Sequence, residues 1–146
     1  MRWATLLTVA LLVTGAACND LRDFRGTWRG PRVGDAAEVK VGVPATAVAT
    51  LTIDALDTHG LSGELSIPGL LASAPVVSLP GAEADALAGM SFTGSPLRVY
   101  LAFVPVGDGG GEALVLVALF DDHRVEARIL RGGTAPLYAI FALSET

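Results

Sequence analysis

The tightest constraint on the fold is a strict alternation of apolar and polar residues in two neighbouring segments, residues 47–55 and 61–67. Successive side chains of a β-strand point to opposite faces, so a period of two predicts strands with one buried face and one polar face. The segment between them, Leu-Asp-Thr-His-Gly at 56–60, is rich in turn-forming residues. We therefore predict a β-hairpin here.

The C-terminal half of the chain repeats this organisation. Four further strands are predicted at residues 97–104, 112–120, 123–131 and 136–143, separated by turns rich in glycine and aspartate. Additional strands are predicted at 24–29, 74–79 and 87–94, and a short helical turn at 81–88. About eight or nine strands in series predict an all-β fold. The fold is an antiparallel meander, closed as a small barrel or folded as a two-layer sandwich.

The chain begins with a segment typical of a secretory signal peptide. Arg2 supplies a positive start, residues 3–13 form an apolar run, and Gly15-Ala16-Ala17 supplies the small residues of a cleavage site. The apolar run is shorter than the roughly 20 residues that a membrane-spanning helix needs. We therefore expect residues 1–17 to be removed on export.

Cys18 is the single cysteine of the chain and follows Ala17 directly. The segment ending Gly15-Ala16-Ala17-Cys18 resembles the lipobox of bacterial lipoproteins, where the cysteine is acylated and becomes the mature N-terminus. Gly15 departs from that pattern, which has leucine three residues before the cysteine. The alternative is ordinary cleavage that leaves a free thiol. A lone cysteine forms no internal disulfide in an oxidising compartment, and acylation would cap it.

The lipobox resemblance implies a protein of the bacterial cell envelope, anchored in a membrane on its exported side through Cys18. Residues 18–23 are then the lipidated N-terminus and tether, and residues 24–146 form a single β domain. The net charge of −5 and the single lysine, Lys40, argue against a nucleic-acid partner and against docking through a basic patch.

The start of the predicted domain contains Gly26-x-Trp28. This motif resembles the first strand of lipocalin and avidin-like calycin barrels, where the glycine eases a bend and the tryptophan closes one end of the barrel. The resemblance implies the same roles for Gly26 and Trp28; the alternative is a core tryptophan beside a glycine turn. It does not extend to biotin binding, because avidin-like pockets use several tryptophans and Trp28 is the only one left once Trp3 departs with the leader.

The predicted strand at 112–120 is apolar on both faces from Ala113 onward, and residues 136–143 are nearly so. Three interpretations remain open: both faces are covered core, the outer face meets a partner or bilayer surface, or the inner face lines an apolar cavity. In the next strand, Arg124, Glu126 and Arg128 oppose an apolar face, and we expect them to be solvated.

No catalytic, cofactor-binding or metal-binding residues are predicted. Asp121-Asp122-His123, even with Asp57 and His59, is better explained by polar turns, because adjacent residues on an extended chain point to opposite faces. The glycine-rich segment 107–112 lacks the ending of a phosphate-binding loop, and no Gly-x-Ser-x-Gly elbow occurs. We therefore expect a protein that is not an enzyme.

Two hypotheses for function follow. The first is a binding module whose barrel holds a small apolar ligand, favoured by Gly26-x-Trp28 and the doubly apolar strands. The second is an envelope structural or protein-interaction subunit that uses an apolar sheet face, favoured by the same strands.

Overall fold

The computed structural model describes residues 20–34, 42–79, 92–107 and 111–146. Within these ranges the chain forms a short 3-10 helix at Leu21–Phe24 and then eight strands. The strands are β1 Gly26–Val33, β2 Val48–Leu56, β3 Leu61–Ile67, β4 Leu71–Val77, β5 Pro96–Pro105, β6 Glu112–Phe120, β7 Val125–Arg131 and β8 Leu137–Glu145.

The eight strands form one antiparallel sheet in the order β4-β3-β2-β1-β8-β7-β6-β5. Each strand pairs with its sequence neighbour except at β4 and β5, while β1 and β8 pair across the length of the chain. β4 and β5 approach each other, and the Leu79 N–H donates to the Leu101 carbonyl oxygen at 2.8 Å. The sheet is therefore a nearly closed barrel, which confirms the all-β prediction and selects the barrel over the sandwich.

The meander defines two ends of the barrel. Odd-numbered strands begin, and even-numbered strands finish, at what we call the lower end. The 3-10 helix, the turns at 57–60 and 121–124, and Thr146 lie there. The opposite, upper end carries the turns at 68–70 and 132–136.

The inside of the barrel is a continuous apolar core. Inward side chains from all eight strands have almost no exposed surface, among them Trp28, Leu51, Leu65, Val104, Val115, Ile129 and Phe141. A ligand-sized cavity would leave accessible surface on the side chains that line it. The described residues therefore fill the part of the interior that they surround.

The predicted hairpin is confirmed. β3 and β6 coincide with the predicted segments, and β2 differs from its prediction by one residue at each end. The turn between β2 and β3 is set by Asp57, whose carboxylate accepts the backbone N–H groups of His59 at 2.7 Å and Gly60 at 2.8 Å. This local bonding is the reason that aspartate is favoured in such turns.

Two strand starts were predicted too early. Phe24 belongs to the 3-10 helix, and β1 begins at Gly26, whose φ of +134° is a backbone conformation that favours glycine. His123 has a φ of +58° and lies in the turn before β7, which begins at Val125. Both starts are displaced by a local change of backbone direction.

Other boundaries moved because of strand pairing. The strand predicted at 74–79 is Leu71–Val77, matched to β3, and β8 runs on to Glu145 because Glu145 pairs with Trp28. Of the strand predicted at 87–94, residues 92–94 are described and are not a strand. Its other residues, the helical turn predicted at 81–88, and the leader with Cys18 lie outside the described residues.

Across the described ranges, none of the helical segments has the length and apolar character needed to cross a bilayer.

Candidate functional site

Trp28, from the Gly26-x-Trp28 motif, lies inside the barrel near its lower end. Its indole Nε1 donates to the Phe24 carbonyl oxygen at 2.9 Å, and its ring stacks on the Phe24 ring with 5.8 Å between centroids. The His123 ring packs against both, with centroids 5.1 Å from Trp28 and 5.2 Å from Phe24. Trp28 and Phe24 are buried, so this aromatic cluster fills the lower end of the core.

His123 extends this cluster to the protein surface. Its Nε2 lies 3.1 Å from a carboxylate oxygen of Glu145, the residue paired with Trp28 in the β1–β8 ladder. The left-handed backbone of His123 turns the ring back over the barrel end. Gly26 has a positive φ, which glycine adopts without strain, and Trp28 packs against Phe24 and His123. The end-closing role that the calycin resemblance implies stays a prediction.

A second apolar cluster lies on the outside of the barrel. Val99, Leu116, Ala118 and Phe120 are buried there, and Phe92 packs on them with its ring 6.2 Å from the Phe120 ring. Of the three interpretations of the doubly apolar strand β6, the structure supports covered core on both faces. The outer face of β6 is therefore not a free interaction surface.

The neighbouring strand β7 places an ion pair under the same cover. Arg128 Nε lies 2.5 Å from the Glu126 carboxylate, and both side chains are buried. The Arg128 guanidinium also lies over the Phe92 ring, 4.4 Å from its centroid. The prediction that Glu126 and Arg128 form a solvated face is wrong, because both side chains are buried and the Phe92 ring packs over Arg128 on the outside of the sheet.

Arg124 contacts the stretch of chain that contains Phe92, just before β5. Its guanidinium lies 3.9 Å from the Phe120 ring centroid and donates to the Thr93 carbonyl oxygen at 2.7 Å. The contact joins the turn before β7 to the chain entering β5.

The exposed apolar residues gather where β4 and β5 meet. We call this set the seam patch: Val77 is 62% exposed, Phe103 51%, and Leu79 and Leu97 each 41%. The Leu79–Leu101 hydrogen bond sets β4 against β5 and brings Val77 across from Phe103. Between the two strands the described residues form no ladder, so each presents a sheet edge.

Sequence reasoning missed the seam patch, although a signal for it exists. Pro75 lies in β4, and Pro96 and Pro105 bound β5. Proline has no N–H to donate to a ladder and is confined to sheet edges and bulges. These prolines are a signal for the edges of the meander, but Pro31 in the interior strand β1 shows that proline alone does not identify an edge strand.

A groove of about 400 Å³ lies on the opposite side of the barrel, beside β1 and β8, and is lined by Arg29, Pro31, Val48, Ser144 and Glu145 among others. Its floor is narrow, because a Cβ on Gly30 would lie 1.7 Å from the Ala142 carbonyl oxygen. The groove is open to solvent and mixes apolar walls with an arginine and a carboxylate. It has no enclosed polar group that would define a ligand.

Two groups with shifted pKa values lie on the path from β5 to the β2–β3 turn. Backbone N–H groups of His59 and then Gly60 lower the pKa of the exposed Asp57 carboxyl. Burial raises the pKa of the Tyr100 hydroxyl, which donates to the Asp57 carbonyl oxygen at 2.7 Å. Both shifts follow from turn and core structure.

The residues that were considered for metal binding remain apart. Asp57 and His59 lie in the β2–β3 turn, whereas His123 pairs with Glu145. In the described ranges no group of three or more His, Cys, Asp or Glu side chains converges as metal ligands.

Comparison of the chain with protein-family models, with curated proteins and with solved structures found no match. The lipobox and calycin resemblances therefore stay predictions that rest on the sequence motifs.

Proposed function

We propose that this chain is an exported bacterial lipoprotein, anchored through Cys18, whose barrel binds a protein partner of the cell envelope and performs no catalysis. The observation that carries the proposal is the seam patch. Four large apolar side chains are exposed along the one line where the sheet is not laddered.

The seam patch has two properties of a protein-binding surface. Its apolar side chains would lose contact with water on association, which is favourable in proportion to the area buried. Its sheet edges carry backbone groups that an incoming strand of a partner can hydrogen-bond, as in strand addition to an open edge. A partner that packs over Val77 and Phe103 on the outside of the seam would bury both side chains.

The small-ligand hypothesis has less support from the geometry. Small-molecule sites are cavities of roughly 300–1,000 Å³ that bury most of the ligand. The inward side chains of the described residues are packed, with Leu51, Val104 and Val115 having no measurable exposure. The exterior of the barrel is therefore the better candidate for recognition.

The anchor has its own test. The change Cys18→Ser should move the protein from the membrane fraction to the soluble fraction, because more than one acyl chain is what makes attachment stable. Mass spectrometry of the wild-type protein should find acyl groups on Cys18. Membrane attachment that is unchanged in Cys18→Ser would contradict the anchor.

The partner is tested by native mass spectrometry on residues 19–146, purified from an envelope extract without detergent. We expect a complex with a second protein chain, which Phe103→Ser and Val77→Ser abolish. The matched control is Glu64→Ser, an exposed position on the outer face of β3, which should retain the complex. A monomer in every sample contradicts the proposal, and a small-molecule adduct on a monomer favours the ligand hypothesis instead.

A further inference from the structure

We infer that the lower end of the barrel rests on the membrane surface, with Leu79 and Leu97 in contact with zwitterionic lipid. The inference rests on the anchor at Cys18 that forms part of the proposed function. It goes beyond that function by assigning the orientation of the barrel and the residues that touch lipid.

The distance between anchor and fold is short. Asn19 alone separates Cys18 from Asp20, whose carboxylate already caps the 3-10 helix by accepting the Arg22 N–H at 3.0 Å. A chain spans at most about 3.5 Å per residue, so the two residue steps from Asp20 to Cys18 can reach no farther than about 7 Å. Phe24 is buried against Trp28, so the helix is fixed to the barrel. A lipid on Cys18 therefore holds the lower end against the bilayer.

Two members of the seam patch lie at this same end. Leu97 is the second residue of β5, and Leu79 lies two residues after the end of β4. Apolar side chains at a membrane surface are stabilised by burial at the boundary between headgroups and acyl chains. Arg98, beside Leu97, can extend its charge to the headgroups while its stem stays in apolar surroundings. Val77 and Phe103 lie farther along the seam, clear of the lipid and open to the protein partner.

The charges of the lower end select the kind of lipid. Its described acidic residues are Asp20, Asp23, Asp54, Asp57, Asp121, Asp122 and Glu145, and its described arginines are Arg22, Arg25, Arg98 and Arg124. Two of these arginines already lie beside carboxylates, Arg22 near Asp20 and Arg124 near Asp122. An end with excess carboxylate is repelled by anionic headgroups, so neutral zwitterionic lipid is the favoured surface.

The test uses the acylated full chain, purified from membranes and reconstituted into phosphatidylcholine vesicles. With Cys18 acylated, the chain has no other cysteine, so Leu97→Cys, Leu79→Cys and the control Glu112→Cys each offer one site for a fluorophore. Glu112 is exposed at the start of β6, at the upper end. We expect a quencher carried on the lipid to quench labels at 97 and 79 severalfold more than the label at 112.

Phosphatidylglycerol provides the second measurement. Adding this anionic lipid to the vesicles should reduce quenching at position 97, and high salt should restore it by screening the charges. Equal quenching at 97 and 112, on protein that floats with the vesicles, overturns the inference and leaves the anchor intact. Increased quenching with phosphatidylglycerol overturns the choice of lipid. Protein that carries no acyl group on Cys18 and does not float overturns the anchor and the inference together.

Discussion

The β2–β3 and β6–β7 hairpins belong to one sheet and face one core, yet their outer faces differ. On β2 and β3 the outward residues are polar and partly or fully exposed, as with Thr50, Thr52 and Glu64. On β6 and β7 the outward residues include Leu116, Glu126 and Arg128, all buried. The outer face of the β2–β3 hairpin therefore meets solvent, whereas the outer face of the β6–β7 hairpin is covered by a second layer of side chains.

The difference shows that alternation in a strand reports what covers its outer face. Where water covers the sheet, as on β2, a period of two appears. Where the segment containing Phe92 covers the sheet, the period disappears on β6, and β7 carries a paired charge in place of a solvated one. The predictions below use this contrast, in order of expected effect.

The largest effect is expected from Glu126→Ala compared with Glu64→Ala. Glu126 is one member of a buried ion pair with Arg128, and breaking such a pair by removing one member costs about 3–5 kcal/mol. Glu64 is exposed and accepts a hydrogen bond from Ser73 at 3.0 Å, so its removal should change stability by less than about 0.5 kcal/mol. Urea unfolding measures both; equal losses would show that the outer faces do not differ.

The second comparison is Leu116→Ala on the outer face of β6 against Leu65→Ala on the inner face of β3. Both leucines are fully buried, so each change should cost about 2–5 kcal/mol through lost transfer free energy and the cavity left behind. The measurement is again the free energy of unfolding. A cost below about 1 kcal/mol for Leu116 alone would contradict the second layer.

Phe92→Ala should remove part of the apolar layer over β6 and β7 without changing any residue of the two hairpins. Phe92 is half-buried, so we expect a loss of about 1–3 kcal/mol, less than for a fully buried phenylalanine. Amide hydrogen exchange should accelerate in β6 and β7 and stay unchanged in β2 and β3. Equal acceleration in both hairpins would mean that Phe92 stabilises the barrel as a whole.

The smallest effect concerns a hydrogen bond from β5 to the turn of the β2–β3 hairpin, donated by the Tyr100 hydroxyl to the Asp57 carbonyl oxygen. Tyr100→Phe should cost about 1 kcal/mol at neutral pH. Burial raises the pKa of Tyr100 above its ordinary value of 10.0, so the folded protein keeps a proton that the unfolded chain releases. Stability should therefore fall as the pH rises past about 10 in the wild type. Tyr100→Phe should flatten that decline, and an unchanged slope would exclude Tyr100 as its source.

Local patterns predicted much of the fold. The alternation of 61–67 and the apolar run of 112–120 gave β3 and β6 with their correct bounds, because glycine- or aspartate-containing turns flank both. Contacts between residues distant in the chain could not be predicted from these local patterns. The extension of β8 to Glu145 depends on Trp28, more than a hundred residues away, and the burial of Glu126 depends on where Phe92 packs.

The seam patch lies where β4 meets β5 to close the barrel, and the sequence alone does not show which strands meet there. Leu97 and Phe103 lie in a segment that reads as an ordinary apolar strand, and the described residues leave them exposed on the outer face of β5, outside the cluster that contains Val99. Had β4 and β5 formed a full ladder, the same residues would lie on a continuous wall. The prolines of these strands were the available signal, and their meaning required the strand order.

The pairing of β1 with β8 also shapes how the barrel is made. Each half, β1 to β4 and β5 to β8, is built from contacts between sequence neighbours, which form quickly. Joining the halves brings together residues as distant as Thr27 and Thr146, whose backbones are hydrogen-bonded at 3.0 Å. The sheet therefore stays in two pieces until β8 is available to pair with β1.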